Sequence, residues 1–174
     1  MKRFSPLLLL LIIGISAAAQ QPNGETAPPR NSLSELRDMR TALLVVSRSR
    51  VLDVSDHDTA IVEDVLKTDP VPKGRYRWVY SQLARKLNKY IQKYKSLSAA
   101  RQLKDADYVI FFNVVEFRRI LNTFYPFGEL FVIVKGSADD LKAPHVVWRA
   151  RKLLIAEDAM GELIKDLKAF RGES

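Results

Sequence analysis

Residues 78–94 read WVYSQLARKLNKYIQKY, and within them Val79, Leu83, Leu87 and Ile91 recur at every fourth position. That spacing stacks side chains on one face of a helix, so the stretch is read as a helix with one apolar stripe. The stripe needs a flat apolar surface to cover it, and three later runs supply one: Asp107–Phe117 (DYVIFFNVVEF), Glu129–Lys135 (ELFVIVK) and Val146–Ile155 (VVWRARKLLI). They are rich in β-branched and aromatic residues and are separated by turn formers, which predicts consecutive antiparallel strands.

Upstream, Thr41–Ser47 (TALLVVS) is apolar along most of its length, as a strand buried on both faces must be. Between it and the long helix, the acidic stretch Asp53–Asp69 carries Ile61, Val62, Val65 and Leu66 at helical spacing; a short helix ended by Pro70 and Pro72 is expected. Downstream, Met160, Leu163, Ile164, Leu167 and Phe170 share one face of a closing helix that opens on Glu157 and Asp158 and stops at Gly172. Ser32-Leu33-Ser34-Glu35 fits a capping box and starts a short helix. Two amphipathic helices beside a set of apolar strands define an α+β fold, here a two-layer sandwich in which two main helices pack on a mixed sheet of four to five strands.

The amino terminus carries an address. Lys2 and Arg3 precede the apolar run Leu7–Ile15, and Ser16-Ala17-Ala18-Ala19 offers the small side chains of a signal-peptidase site, with cleavage expected after Ala19. The run is shorter than the roughly 20 residues a spanning helix needs. Residues 1–19 are therefore read as a signal peptide, 20–34 as a polar, Pro-rich tether and 35–171 as one domain, exported to the periplasm or secreted, with no transmembrane segment after processing. The chain has no cysteine, so neither a disulfide nor a lipidated cysteine is available to it.

The order of leader, strand, long helix, Ala106-Asp107-Tyr108-Val109 lead-in to a core strand, hairpin, strand and closing helix resembles small exported bacterial envelope domains. The TolB amino-terminal domain, CsgG-type secretion proteins and LpoB-type activators are examples. The resemblance implies a non-enzymatic envelope domain that acts by binding other macromolecules. Several of those relatives are lipoproteins; without a cysteine, membrane tethering does not carry over, and no site residue is transferred.

Charge is the most uneven feature. Ten basic residues and no acidic one stand between Pro70 and Lys104, whereas the whole chain has a formal charge of +8, so the remainder is net acidic. On a helix, Arg77, Arg85, Lys89 and Lys93 fall at multiples of four and form a ridge of positive potential. Lys73, Arg75, Arg77, Arg85, Lys86, Lys89 and Lys93 are the candidate basic surface. The acidic 53–69 segment would neutralise the ridge if it folded against it, and a solvated helix face is the plainer alternative. An exported protein meets little nucleic acid, so an envelope protein, anionic lipid headgroups or cell-wall polymers are the partners considered. Tyr76, Trp78, Tyr80, Tyr90 and Tyr94 interleave with the cations, but their spacing turns most of them toward the core.

A second candidate is Asn122–Gly128 (NTFYPFG), read as the connection between two strands with Pro126 second and Gly128 fourth in a tight turn. Phe124, Tyr125 and Phe127 would then project from an aromatic hairpin tip, near Arg118 and Arg119, the composition of an interface anchor. The alternative is that the tip folds back over the main helix.

Enzyme chemistry finds no motif. There is no cysteine, no G-x-S-x-G elbow, no phosphate loop and no dinucleotide fingerprint, and only His57 and His145 could serve as an imidazole base. Asp53 and Asp56-His57-Asp58 lack the spacing of a calcium loop or a zinc site, and Gly136–Asp140 reads as a turn. No catalytic, cofactor-binding or metal-binding residue is assigned. Two classes remain: an exported, non-enzymatic envelope interaction domain, or an electrostatic binder of anionic polymers or membrane surfaces through the basic helix at 73–95. A hydrolase or metal enzyme is a third, weaker reading.

Overall fold

Alternation along the first strand sets up two separate cores. In the computed structural model, which describes residues 33–48, 57–68, 72–136, 143–150 and 152–174, β1 (Thr41–Ser47) turns Ala42, Leu44 and Val46 to one face and Leu43 and Val45 to the other, all buried. β3 (Tyr108–Ile120) and β4 (Thr123–Val134) repeat the pattern: Ile110, Phe112, Leu130 and Val132 face one core, Val109, Phe111, Phe131 and Ile133 the other.

The first core is closed by two helices. α2 (Arg75–Tyr94) buries Val79, Leu83 and Leu87 of its predicted stripe together with Tyr90, while Ile91 is half-buried; α3 (Ala156–Arg171) buries Met160, Leu163 and Leu167, with Ile164 and Phe170 half-buried. Gly172 ends α3 in the left-handed conformation with φ 67°, which glycine adopts without strain. The second core is closed by α1 (His57–Lys67) through Ile61, Val62 and Val65. The α+β sandwich with a mixed sheet is therefore present, with a third, shorter helix on the opposite face.

With β2 (Ser98–Ala99), β5 (His145–Arg149) and β6 (Leu154–Ile155), the sheet has six strands among the described residues, in the order β2-β1-β3-β4-β5 with β6 beside β4. β1 lies parallel to β3 and to the two-residue β2; β3, β4 and β5 are successive antiparallel neighbours, as predicted. The run expected at 146–155 divides into β5 and the two-residue β6, and it is the two short strands that raise the count above five.

The Ala106-Asp107-Tyr108 lead-in has a structural role. Asp107 Oδ2 accepts from the backbone N–H of both Arg40 and Thr41 at 2.8 Å, fixing the start of β1 against that of β3, while Ala106 and Tyr108 are buried on either side. Leu33, placed in the tether by sequence, is buried in the first core at the start of a short 3-10 turn, Leu33–Leu36. Residues 1–32, where the sequence leads one to expect a signal peptide and most of a tether, lie outside the described residues. Among the described residues no helix is long and apolar enough to cross a membrane.

Candidate functional site

The basic helix keeps most of its charge uncompensated. Of the seven cations predicted to form its surface, Arg85 pairs with Glu157 and Lys86 donates to the Glu157 carbonyl at 2.7 Å, so these two tie α2 to α3. Among the described residues, Lys73, Arg75, Arg77, Lys89 and Lys93 pair with no carboxylate. Arg75 lies over the rings of Phe117 (4.8 Å) and Tyr76 (5.5 Å), and Lys93 over that of Tyr94 (4.7 Å). Lys168 of α3 also stands over Tyr94, at 5.1 Å. Its hydrogen bond, followed by that of Lys93, holds the Tyr94 phenol below its ordinary pKa, a local sign of concentrated positive charge.

The acidic segment does not fold against this ridge where it is described. α1, with Glu63 and Asp64, packs on the far face of the sheet, and Glu63 pairs with Lys67 of its own helix. Asp53, Asp56 and Asp69 lie outside the described residues, as do the side chains of His57 and Asp58. The interleaved aromatics divide as their angles require: Tyr90 is buried, Tyr76, Tyr80 and Tyr94 are half-buried, and Trp78 is 44% exposed on the outer face.

One flank of α2 borders a cleft that the sequence did not suggest. A hollow of about 900 Å³ lies between Arg77, Tyr80 and Ser81 of α2, Leu43 and Leu44 of β1, and Ala100 and Arg101 beyond β2; Pro72, Lys73 and Gly74 close one end. A second, of about 600 Å³, continues past the same Pro72–Gly74 turn to Val46, Ser47 and Thr68. Among the described residues no carboxylate lines either hollow, while Lys73, Arg77 and Arg101 do. Arg101 belongs to the predicted run of ten cations, but nothing in its spacing shows that it meets Arg77 across a cleft.

The aromatic tip needs correction. The turn is Leu121–Asn122, and Phe124, Tyr125, Pro126, Phe127 and Gly128 all lie within β4, opposite residues of β3. A bulge between Val114 and Glu116 explains why the loop signals were misleading. Beside it the strands approach so closely that a Cβ on Gly128 would sit 2.2 Å from the Asn113 carbonyl oxygen, so the glycine serves a mid-strand contact. Pro126 falls in the outer part of the hairpin, where β4 has only β3 beside it and a missing N–H leaves no ladder bond unmade.

Of the three proposed tip aromatics, Phe124 alone is well exposed, at 58%; Tyr125 is half-buried, and Phe127 lies under the Arg118 guanidinium at 4.5 Å. Arg118 also pairs with Glu116, and Arg119 donates to the Leu121 carbonyl and the Asn122 side chain. The tip itself presents Leu121, 92% exposed, with Ile120 and Phe124 beside it. The hairpin neither folds flat onto α2 nor stands free: Phe117, lower down, packs on Tyr76 at 6.2 Å.

Among the described residues no group of three acidic or histidine side chains is close enough to hold a metal ion. His145 shares its ring nitrogens with the Ala143 carbonyl and Glu35, which ties β5 to the first turn. Comparison with known proteins finds no matching family model, curated protein or solved structure.

Proposed function

We propose that the chain is an exported, non-enzymatic binding domain of the cell envelope that holds an anionic partner against the cationic flank of α2. The observation that carries this reading is a set of cations on and beside α2 that no described carboxylate neutralises. Among the described residues Lys73, Arg77, Lys89 and Lys93 pair with no carboxylate: α1, with Glu63 and Asp64, lies across the sheet, and of the acidic residues of α3 on the same face as α2, Glu157 pairs with Arg85 and Asp166 accepts from Trp148, so the field of this flank extends into solvent. Evenly mixed surface charge would cancel within a Debye length of about 8 Å at physiological salt. Trp78, exposed on the same helix, adds an apolar contact of the kind found at binding surfaces.

Export rests on Lys2, Arg3, the Leu7–Ile15 run and the small residues through Ala19. Two measurements test the proposal. The mass of the protein recovered from cells should correspond to a chain beginning at Gln20; protein retaining Met1 in the cytosol refutes export. The recovered protein should be retained on heparin, an anionic polymer, at low salt; passage without retardation refutes the anionic partner.

A further inference from the structure

Beyond Ala42, β1 is paired on one side only among the described residues. β3 pairs with it from Ala42 to Ser47, whereas β2 accompanies it only at Thr41 and Ala42. The Ala42 carbonyl accepts from Ala100 N–H on the β2 side. Peptide groups along a strand alternate in direction, so those of Leu44 and Val46 point to the same side, where β2 has ended. Among the described residues no strand covers them. Their side chains are buried in the first core.

The two hollows follow that edge in order, Leu43 and Leu44 in the first, Val46 and Ser47 in the second, with α2 as a wall. At ~3.3 Å per residue the uncovered stretch matches an added strand of about five residues. An unguarded edge invites pairing with a second copy of the same chain. Here Lys73, Arg77 and Arg101 line the approach, and the same cations on a second copy would repel it. They favour a strand that carries carboxylates.

We infer that the open edge of β1 receives an extended acidic segment of a partner protein as an added strand. Leu44 and Val46 exchange backbone hydrogen bonds with it, and Lys73, Arg77 and Arg101 meet its carboxylates. The inference rests on the anionic-partner reading and narrows it to a peptide.

The test uses nitrogen-15-labelled protein, processed as cells export it, and a synthetic peptide of alternating glutamate and valine. A second peptide of the same sequence, N-methylated at every other residue, cannot form one edge of a ladder. Saturation with the first peptide should slow amide exchange at Leu44 and Val46 by about tenfold or more, and the methylated peptide should bind at least about tenfold more weakly. Arg101→Glu should weaken the first peptide and leave the fold unchanged by circular dichroism. Equal binding of both peptides, with exchange at Leu44 and Val46 unchanged, overturns strand addition while leaving an anionic partner intact. Failure of both peptides to bind, together with loss of heparin retention, removes both readings. Failure of both peptides with heparin still retained overturns the peptide alone.

Discussion

Removal of the Asp107 carboxylate should loosen the start of β1 and with it the wall of the cleft. Two backbone donors, Arg40 N–H and Thr41 N–H, reach one oxygen of this side chain at 2.8 Å. A hydrogen bond to a charged group contributes about 1.5–3 kcal/mol when water cannot replace it. Here both bonds are solvent-exposed, so water recovers part of the loss, and Asp107→Ala should destabilise by about 2 kcal/mol for the pair. Asp107→Asn keeps an acceptor oxygen but not its charge, and neutral bonds are roughly half as strong, which predicts a loss of about 1 kcal/mol. Urea unfolding measures both, and amide exchange at Arg40 and Thr41 should quicken in the same order. An alanine variant that unfolds at the wild-type midpoint, with those two amides still protected, would refute the assignment of Asp107 as the clamp between β1 and β3.

Gly128→Ala forces a methyl group to within 2.2 Å of the Asn113 carbonyl oxygen and 2.7 Å of the Phe112 ring. It should destabilise by about 3 kcal/mol, seen as a lower urea midpoint; a midpoint within error of wild type would contradict the close approach. Burial pushes the Tyr108 phenol above its ordinary range, so the folded chain keeps a proton that the unfolded chain releases near pH 10. This contribution to stability is complete below pH 10 and declines as pH rises past it. Tyr108→Phe should flatten that alkaline decline. Among the described residues the hydroxyl is also buried without a partner, so the variant should be no less stable at neutral pH; an equal alkaline decline in both proteins would contradict the assignment of that decline to Tyr108. Leu121 holds φ 56° at the hairpin turn, a conformation that asparagine adopts more readily. Leu121→Asn should raise stability by about 1 kcal/mol by urea unfolding, and a lower midpoint would show that the tip is not strained.

Much of the fold was legible because burial imposes periodicity. Val79, Leu83 and Leu87 marked the face of α2, Met160, Leu163 and Leu167 that of α3, and doubly buried β1 read as an apolar run. Ser98–Ala99 was not legible, because two residues hold no period and their strand character comes from the neighbour that pairs with them; Leu154–Ile155 was legible only as the end of one run from Val146, not as a separate strand beside β4. The hairpin was misread for a related reason. Proline and glycine usually signal turns, but at Pro126 and Gly128 a bulge and a bare strand edge use the same residues inside β4, and the actual turn, Leu121–Asn122, lacks glycine.

The candidate site divides along the same line. The cations of α2 were legible by number and spacing. Which of them are neutralised depends on where Glu157 lies, and that is a tertiary fact: it claims Arg85 and Lys86 and leaves Arg77, Lys89 and Lys93 without a carboxylate among the described residues. The open edge of β1 had no signal at all, since TALLVVS reads the same whether one neighbour or two pair with it.

The salt dependence of binding to immobilised polyglutamate, compared between two variants of equal net charge, tests the central claim most directly. One reverses Arg77, Lys89 and Lys93 on α2 to glutamate; the other reverses Lys67, Lys152 and Lys165, which lie off that helix. Wild type and the second variant should bind at low salt and lose affinity steeply as salt rises, while the first should not bind at any salt. Equal binding by the two variants would mean that the positive flank of α2 does not hold the partner.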